Sequence, residues 1–291
     1  MINYNPKDWY KFIFRLNKAD TFRRLLPVLA GICVYAGIIV WLEKQFGWMS
    51  NTHLGNVTVT HSLLGFVISM LLVFRTNTAY DRWWEGRRLW GSLVNNSRNL
   101  AMKLSAMLPE AATEHRHFFR VLIPAYAYTL KHHLRQKRTK IDLYDALEEL
   151  RHLQYDKHLP NQLSLLMIKR VNLLYQKGVL SGEQLITLNA ELQSFTDICG
   201  GCERIRNTPI PYSYNIFIKR FIFFYVMTLP FGYAFNLGYF VIPVVAFVFY
   251  VLASLELIAE EIEEPFGTDE NDLPAERIAE GIQRHVEELL H

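Results

Sequence analysis

Residues 221–255 read FIFFYVMTLPFGYAFNLGYFVIPVVAFVFYVLASL, without one Asp, Glu, Lys or Arg. As a single helix this run would be about 52 Å long at 1.5 Å per residue. A bilayer core is only about 30 Å thick, so the run is too long for one crossing and suits two short ones. Asn236-Leu237-Gly238 supplies the turn between them, with Pro230 and Pro243 inside the two halves.

Two more uncharged stretches lie upstream. Leu25–Leu42 has a basic flank, Arg23-Arg24, and Trp41 and Trp48 sit where an interfacial belt belongs. Asn56–Phe74 is also uncharged but carries His61 and several hydroxyls, which suits a helix facing protein or water rather than lipid. Four crossings put both termini on one side, and Lys and Arg choose the side. Lys7, Lys11, Arg15, Lys18, Arg23 and Arg24 precede the first span, Arg75, Arg82, Arg87 and Arg88 follow the second, and Lys219-Arg220 precede the third. The outer loops are short and nearly free of positive charge, Lys44 excepted. The termini and the middle segment are therefore expected in the cytoplasm. A soluble all-α protein with buried helices is the rival reading, and the length of the uncharged runs speaks against it.

The rest of the composition narrows the function classes. The chain has 291 residues, 51% apolar and 14% aromatic, with a net charge of +3 that gives no case for nucleic-acid binding. The first residues lack the layout of a cleavable signal peptide. Three cysteines, Cys33, Cys199 and Cys202, are too few for a disulfide framework. Between the second and third spans the pattern is helical: 82–108, 113–134, 141–153, 161–176 and 181–195, the last opened by Ser181 as cap with Gln184 three residues on. An amphipathic helix over 274–290 closes the chain. The expected fold class is all-α: a cytoplasmic segment 1–24, transmembrane helices 1 and 2 in 25–80, a helical cytoplasmic domain 81–212, transmembrane helices 3 and 4 in 213–262, and an acidic cytoplasmic tail 263–291.

Three motifs stand out. The stretch 74–88, FRTNTAYDRWWEGRR, begins where the second span meets the cytoplasm. Trp83-Trp84 suit interfacial anchoring, and Asp81, Arg82, Glu85, Arg87 and Arg88 suit salt bridges between subunits. The stretch 260–274, EEIEEPFGTDENDLP, is either a solvated acidic turn or a carboxylate site for Ca²⁺, though not an EF-hand loop. Cys199-Gly-Gly-Cys202 has C-x-x-C spacing, which opens a zinc or redox reading, but no second pair accompanies it, and a structural role is favoured. No nucleophile elbow, phosphate loop or metalloprotease helix occurs, so an enzyme is not expected.

Taken together, Arg82-Trp83-Trp84 after a polar second span, Pro209-Ile-Pro211-Tyr before the third, and Glu-Pro265-Phe266-Gly267 after the fourth resemble the bestrophin family. Phe74-Arg-Thr-Asn, Gly200-Gly-Cys202-Glu-Arg204 and Asn271-Asp272-Leu-Pro274 are similar to its bacterial branch. The resemblance implies a homopentameric ion channel of a bacterial inner membrane, with an axial pore lined by the second span and then by the cytoplasmic domain. Its hydrophobic neck would be Phe66, Met70 and Phe74, whose i, i+4, i+8 spacing shares one helix face. A cytoplasmic constriction would fall at Glu183, with Gln184 adjacent; an acidic ring there leans the expectation toward monovalent cations, with an anion (chloride) channel as the alternative. A helix-start glutamate favoured by the macrodipole is the structural reading of the same residue. The Ca²⁺ clasp of eukaryotic members maps onto Glu261, Glu264, Asp269 and Asp272, but the two glutamates replace the usual amides, so no cofactor is expected to be required. Expected partners are further copies of the chain, membrane lipids and permeant ions, with no nucleic acid. A secondary transporter, or a membrane redox protein using Cys199 and Cys202, are the other functional readings.

Overall fold

The structure, a computed structural model, describes residues 21–47, 57–136 and 147–291. Their elements are α1 (Thr21–Phe46), α2 (Val57–Met107), α3 (Thr113–Leu134), α4 (Glu148–Arg151), α5 (Leu159–Gln176), α6 (Gly182–Asn207), α7 (Tyr212–Leu237), a 3₁₀ turn (Gly238–Phe240), α8 (Val241–Glu263) and α9 (Ala275–Leu289). No strand occurs among the described residues. Trp48, Asn56, the basic residues of 1–20, Lys137-Arg138 and residues 141–146 of the helix expected over 141–153 lie outside them; of the rest of that helix only Glu148–Arg151 is helical.

Three stretches are long and apolar enough to cross a membrane: Thr21–Phe46, Thr58–Met107 and Tyr212–Glu263. The third is broken where the sequence asks for a turn. Gly238 ends α7 at φ 52°, a conformation glycine adopts without the steric cost of a side chain. Pro243 falls in the first turn of α8, where a missing N–H costs nothing, whereas Pro230 sits well inside α7.

The chain divides into two compact units, described separately. The first holds α1, α2 as far as Arg82, α7 and α8. Within it α1 packs along α8 and α7, and α7 along α8. Leu29, Ile32, Val40, Ile68, Leu72, Ile222, Val226, Val241 and Val245 form its core. The ammonium of Lys44 lies 4.1 Å from the Tyr239 ring centre and ties the end of α1 to the 3₁₀ turn.

The second unit holds the rest of α2, then α3 to α6, and α9. α3 packs against α5, α6 and α9, and α5 against α6. Trp90, Phe118, Phe119, Tyr126 and Phe195 are its largest fully buried apolar groups. Each contributes roughly 1.5–3 kcal/mol through burial. Tyr126 also donates a 2.6 Å hydrogen bond to the Phe195 carbonyl, with the two rings edge to face at 4.8 Å. The capping box expected at Ser181 and Gln184 is present. α6 then runs past the expected end at Phe195 to Asn207, because Gly200-Gly201 does not interrupt an otherwise helical pattern. Gly201 packs against Leu89, and a Cβ there would meet the leucine methyls at 3.0 Å.

α2 is the largest departure from the sequence expectation. The second span and the helix after it form one helix of 51 residues. Nothing in 74–88 is a strong breaker except Gly86, and Gly86 serves packing instead. A side chain there would meet Pro265 and Phe266 at about 3.1 Å, so the glycine admits the Glu264-Pro265-Phe266-Gly267 turn against the helix.

Candidate functional site

The N-terminal half of α2 has two distinct faces. Ile68, Leu72, Arg75 and Ala79 are buried, recurring at four, three and four residues. His61 belongs to this face; its Nε2 lies 3.0 Å from the Thr228 hydroxyl on α7, its ring edge-on to Tyr225. Phe66, Met70 and Phe74 lie on the other face, and they stay 67%, 50% and 52% exposed. The polar groups between them are satisfied locally. Ser62, Ser69 and Thr78 each donate to the carbonyl four residues back, at 3.0, 2.7 and 2.9 Å.

A buried charge cluster sets this orientation. Arg75 is fully buried, and its Nη2 donates to Glu263 Oε2 at 2.7 Å, while Nε lies 3.5 Å from Glu256 Oε2. Glu263 Oε1 accepts the backbone N–H of Ile210 at 2.7 Å, and the Glu263 carbonyl accepts from Arg82 Nε at 3.1 Å. Ile210 stands between Pro209 and Pro211, neither of which has an N–H to give. Three stretches singled out in the sequence therefore converge on one residue, Glu263: the arginine of Phe74-Arg-Thr-Asn and the Pro-Ile-Pro segment on its carboxylate, and Arg82 on its backbone carbonyl. Because α2 is rigid, fixing Arg75 inward fixes Phe74 and its neighbours outward.

The tryptophan motif divides in role. Arg82 is engaged at Glu263, Trp83 packs on the core of the second unit, and Asp81 and Trp84 are exposed. Glu85 pairs with Arg204 of α6. Arg87 and Arg88 stay exposed, and together with Trp84, Gly91, Ser92, Val94 and Asn95 they line an open groove of about 550 Å³ on the second unit.

Glu183 is fully exposed in the first turn of α6, where it accepts the Ser181 hydroxyl at 2.6 Å. That bond, with its own backbone N–H, holds the carboxyl below the usual carboxylate range. The Gln184 side chain is committed to the cap, accepting from the Ser181 N–H at 2.9 Å. Ile186, next along the helix, is 75% exposed. Sequence reasoning passed over it, since an isolated isoleucine in a polar helix carries no local signal.

In the first unit, both carboxylate oxygens of Glu261 hold donors: Arg24 Nη1 on Oε1 and Asn271 Nδ2 on Oε2, each at 2.6 Å. Asp269 lies 4.0 Å from the same guanidinium. Arg24 thus brings its own positive charge to two of the four supposed clasp carboxylates, an arrangement that does not fit a Ca²⁺ site there. In the second unit Asp272 is buried, and its Oδ2 would sit 2.7 Å from a Cβ at Gly267. The Glu264 carbonyl accepts the Gly267 N–H at 3.4 Å, and the Pro265 carbonyl accepts the Leu273 N–H at 2.9 Å. The turn closes on itself.

Cys199 and Cys202 are buried free thiols on one unbroken helix. Burial pushes Cys199 up to about 12 and Cys202 higher still, so both stay protonated and unreactive. A cluster missed in the sequence lies nearby. His133 Nε2 and His158 Nε2 each stand 2.6 Å from Glu203 Oε1. Burial raises the Glu203 carboxyl, but the two imidazole hydrogen bonds outweigh it and leave the group below its ordinary value. The histidines are 25 positions apart and 45 or more from the glutamate, too far for any spacing rule to pair them.

The comparisons with known proteins agree with this architecture. A family model described as bacterial/fungal bestrophin protein matches residues 1–288. The chain is 33% identical over 296 residues to a voltage-dependent anion channel-forming protein of Nostoc sp. (strain PCC 7120), spanning 97% of this chain and 92% of that one. It is 35% identical over 236 residues to the voltage-dependent anion channel-forming protein YneE of Escherichia coli K12, spanning 80% and 77%. A crystal structure of a bacterial bestrophin homolog from Klebsiella pneumoniae superposes with a TM-score of 0.83 at 30% identity, over 93% of this chain and 98% of that one. An all-helical membrane protein with a charge-anchored α2 of this kind defines the class. The chain belongs to the bestrophin family, in its bacterial and fungal branch.

Proposed function

We propose that this chain is one subunit of an oligomeric, non-enzymatic channel that carries anions across the bacterial inner membrane. The observation that carries the proposal is the Phe66–Met70–Phe74 edge, left exposed opposite the buried Arg75. Assembled as a pentamer, as the family resemblance implies, the copies turn this edge toward a common axis and form three stacked apolar rings. Such a neck gates by wetting and dewetting. Met70, with three rotatable bonds, gives the middle ring more freedom than phenylalanine gives the outer two.

The assignments made on the sequence carry over. Segments 25–80 and 213–262 span the bilayer, 81–212 and the two ends are cytoplasmic, and a lower constriction lies at Glu183 and Gln184, joined by Ile186. The lean toward cations gives way to anions, because the relatives are described as anion channel-forming and Glu183 already serves its own helix start. Ca²⁺ is not required, since Arg24 holds Glu261 and lies near Asp269.

Planar-bilayer recording in asymmetric KCl tests the reading. An anion channel reverses near the chloride equilibrium potential. Reversal near the potassium potential restores the cation reading, and saturable coupled flux without unitary currents means a transporter.

A further inference from the structure

We propose that His133, His158 and Glu203 form a binding site for a divalent transition metal of the Zn²⁺ type in the second unit. Three elements bring the ligands together. His133 is in the last turn of α3, His158 caps α5, and Glu203 lies on α6. Their ligand atoms all lie within 4.8 Å of one another, and the imidazole rings are 4.4 Å apart, centre to centre. Each side chain is between one quarter and one third exposed, so an ion can enter from solvent.

Two imidazoles and a carboxylate are a three-ligand set for Zn²⁺, with water completing the tetrahedron. In such a site neighbouring ligand atoms stand about 3.3 Å apart, given bonds near 2.0 Å. The two 2.6 Å contacts therefore need to open by about 0.7 Å, which the partly exposed Glu203 side chain permits. The Nε2–H groups of both rings donate to Glu203 Oε1, and a metal replaces those shared protons. Arg206 steadies the arrangement from α6 by donating to the His133 carbonyl at 3.1 Å.

One consequence follows from His158. Its Nδ1 accepts the Asn161 N–H at 3.1 Å, so in the metal-free state the ring proton is on Nε2. Coordination through Nε2 moves the ring proton to Nδ1 and gives up the cap of α5. Occupancy thus clamps α3 and α6 to the start of α5 while releasing one of the bonds that orders that start.

The test uses the full chain in detergent with an affinity tag free of histidine. Zn²⁺ titration by calorimetry, and the visible absorption of Co²⁺ as a substitute, report the site. The expected result is one Zn²⁺ per subunit, with intense Co²⁺ bands of tetrahedral type. His158→Asn removes the ligand but keeps a residue suited to helix capping, and Glu203→Gln keeps a hydrogen-bond acceptor. Each should weaken Zn²⁺ binding by roughly tenfold or more while eluting as the same oligomer. No saturable Zn²⁺ binding, or binding unchanged in both variants and lost in Cys199→Ser/Cys202→Ser, overturns the proposal.

Discussion

The exposed face of α2 and the exposed face of α7 and α8 are both apolar, yet they differ in what lies between the apolar side chains. On α7 and α8, Phe223, Phe224, Phe235, Phe247, Val251 and Leu255 are uncovered, with little polar surface among them. On α2, Phe66, Met70 and Phe74 alternate with Ser62, Ser69, Asn77 and Thr78, also exposed. Hydrocarbon tails offer nothing to a hydroxyl, so a face selected only for lipid gains nothing from them. A face that meets water and ions between apolar constrictions does. The contrast separates two surfaces on stretches that are both apolar enough to cross a membrane.

The largest effect that can break this contrast is the loss of the group that orients α2. Arg75→Ala leaves Glu263 and Glu256 buried without their cation, which should cost about 3–5 kcal/mol. The expected outcome is a collapsed melting temperature and loss of the oligomer peak in size-exclusion chromatography, whereas Phe74→Ala, one residue away, keeps both. Next comes a matched pair on the two faces. Leu72→Ala should lose roughly 2–5 kcal/mol of stability as a core truncation, and Met70→Ala should leave the melting temperature nearly unchanged. Equal losses would mean that Met70 is buried in the assembly. The triple replacement of Phe66, Met70 and Phe74 by Ala should raise conductance or open probability in bilayers without lowering thermal stability, while Phe223→Ala should leave the currents as they are. The smallest effect concerns Glu183. Its carboxyl is held below the ordinary range, so it stays ionised from pH 8 to pH 6 and contributes no change in reversal potential over that interval. A shift over this interval that vanishes in Glu183→Gln would show that the residue titrates in the ion path.

The sequence made the spans legible because absence of charge over a length is a local property. The turn at Gly238 and the cap at Ser181 were legible for the same reason, since each depends on residues a few positions apart. The Phe66–Met70–Phe74 edge is what the family resemblance implies, and helical spacing puts the three on one face, but spacing does not say which face is buried. That was decided by Arg75, whose partners Glu256 and Glu263 are more than 180 positions away. Distance along the chain likewise hid Glu263 as the meeting point of Ile210 and Arg82, and hid the pairing of Glu203 with His133 and His158. The continuity of α2 through the tryptophan motif was missed because a change from apolar to charged composition was read as a change of element. A helix can leave the membrane without ending.

The central claim is that the Met70 side of α2 lines an aqueous path and the Phe223 side of α7 does not. Single cysteines at these two positions, in a Cys33→Ser background, can be exposed to a charged, water-soluble methanethiosulfonate during bilayer recording. The account predicts that the reagent rapidly alters the current through Met70→Cys and leaves Phe223→Cys unaffected. A modified current in Phe223→Cys with an inert Met70→Cys would contradict it.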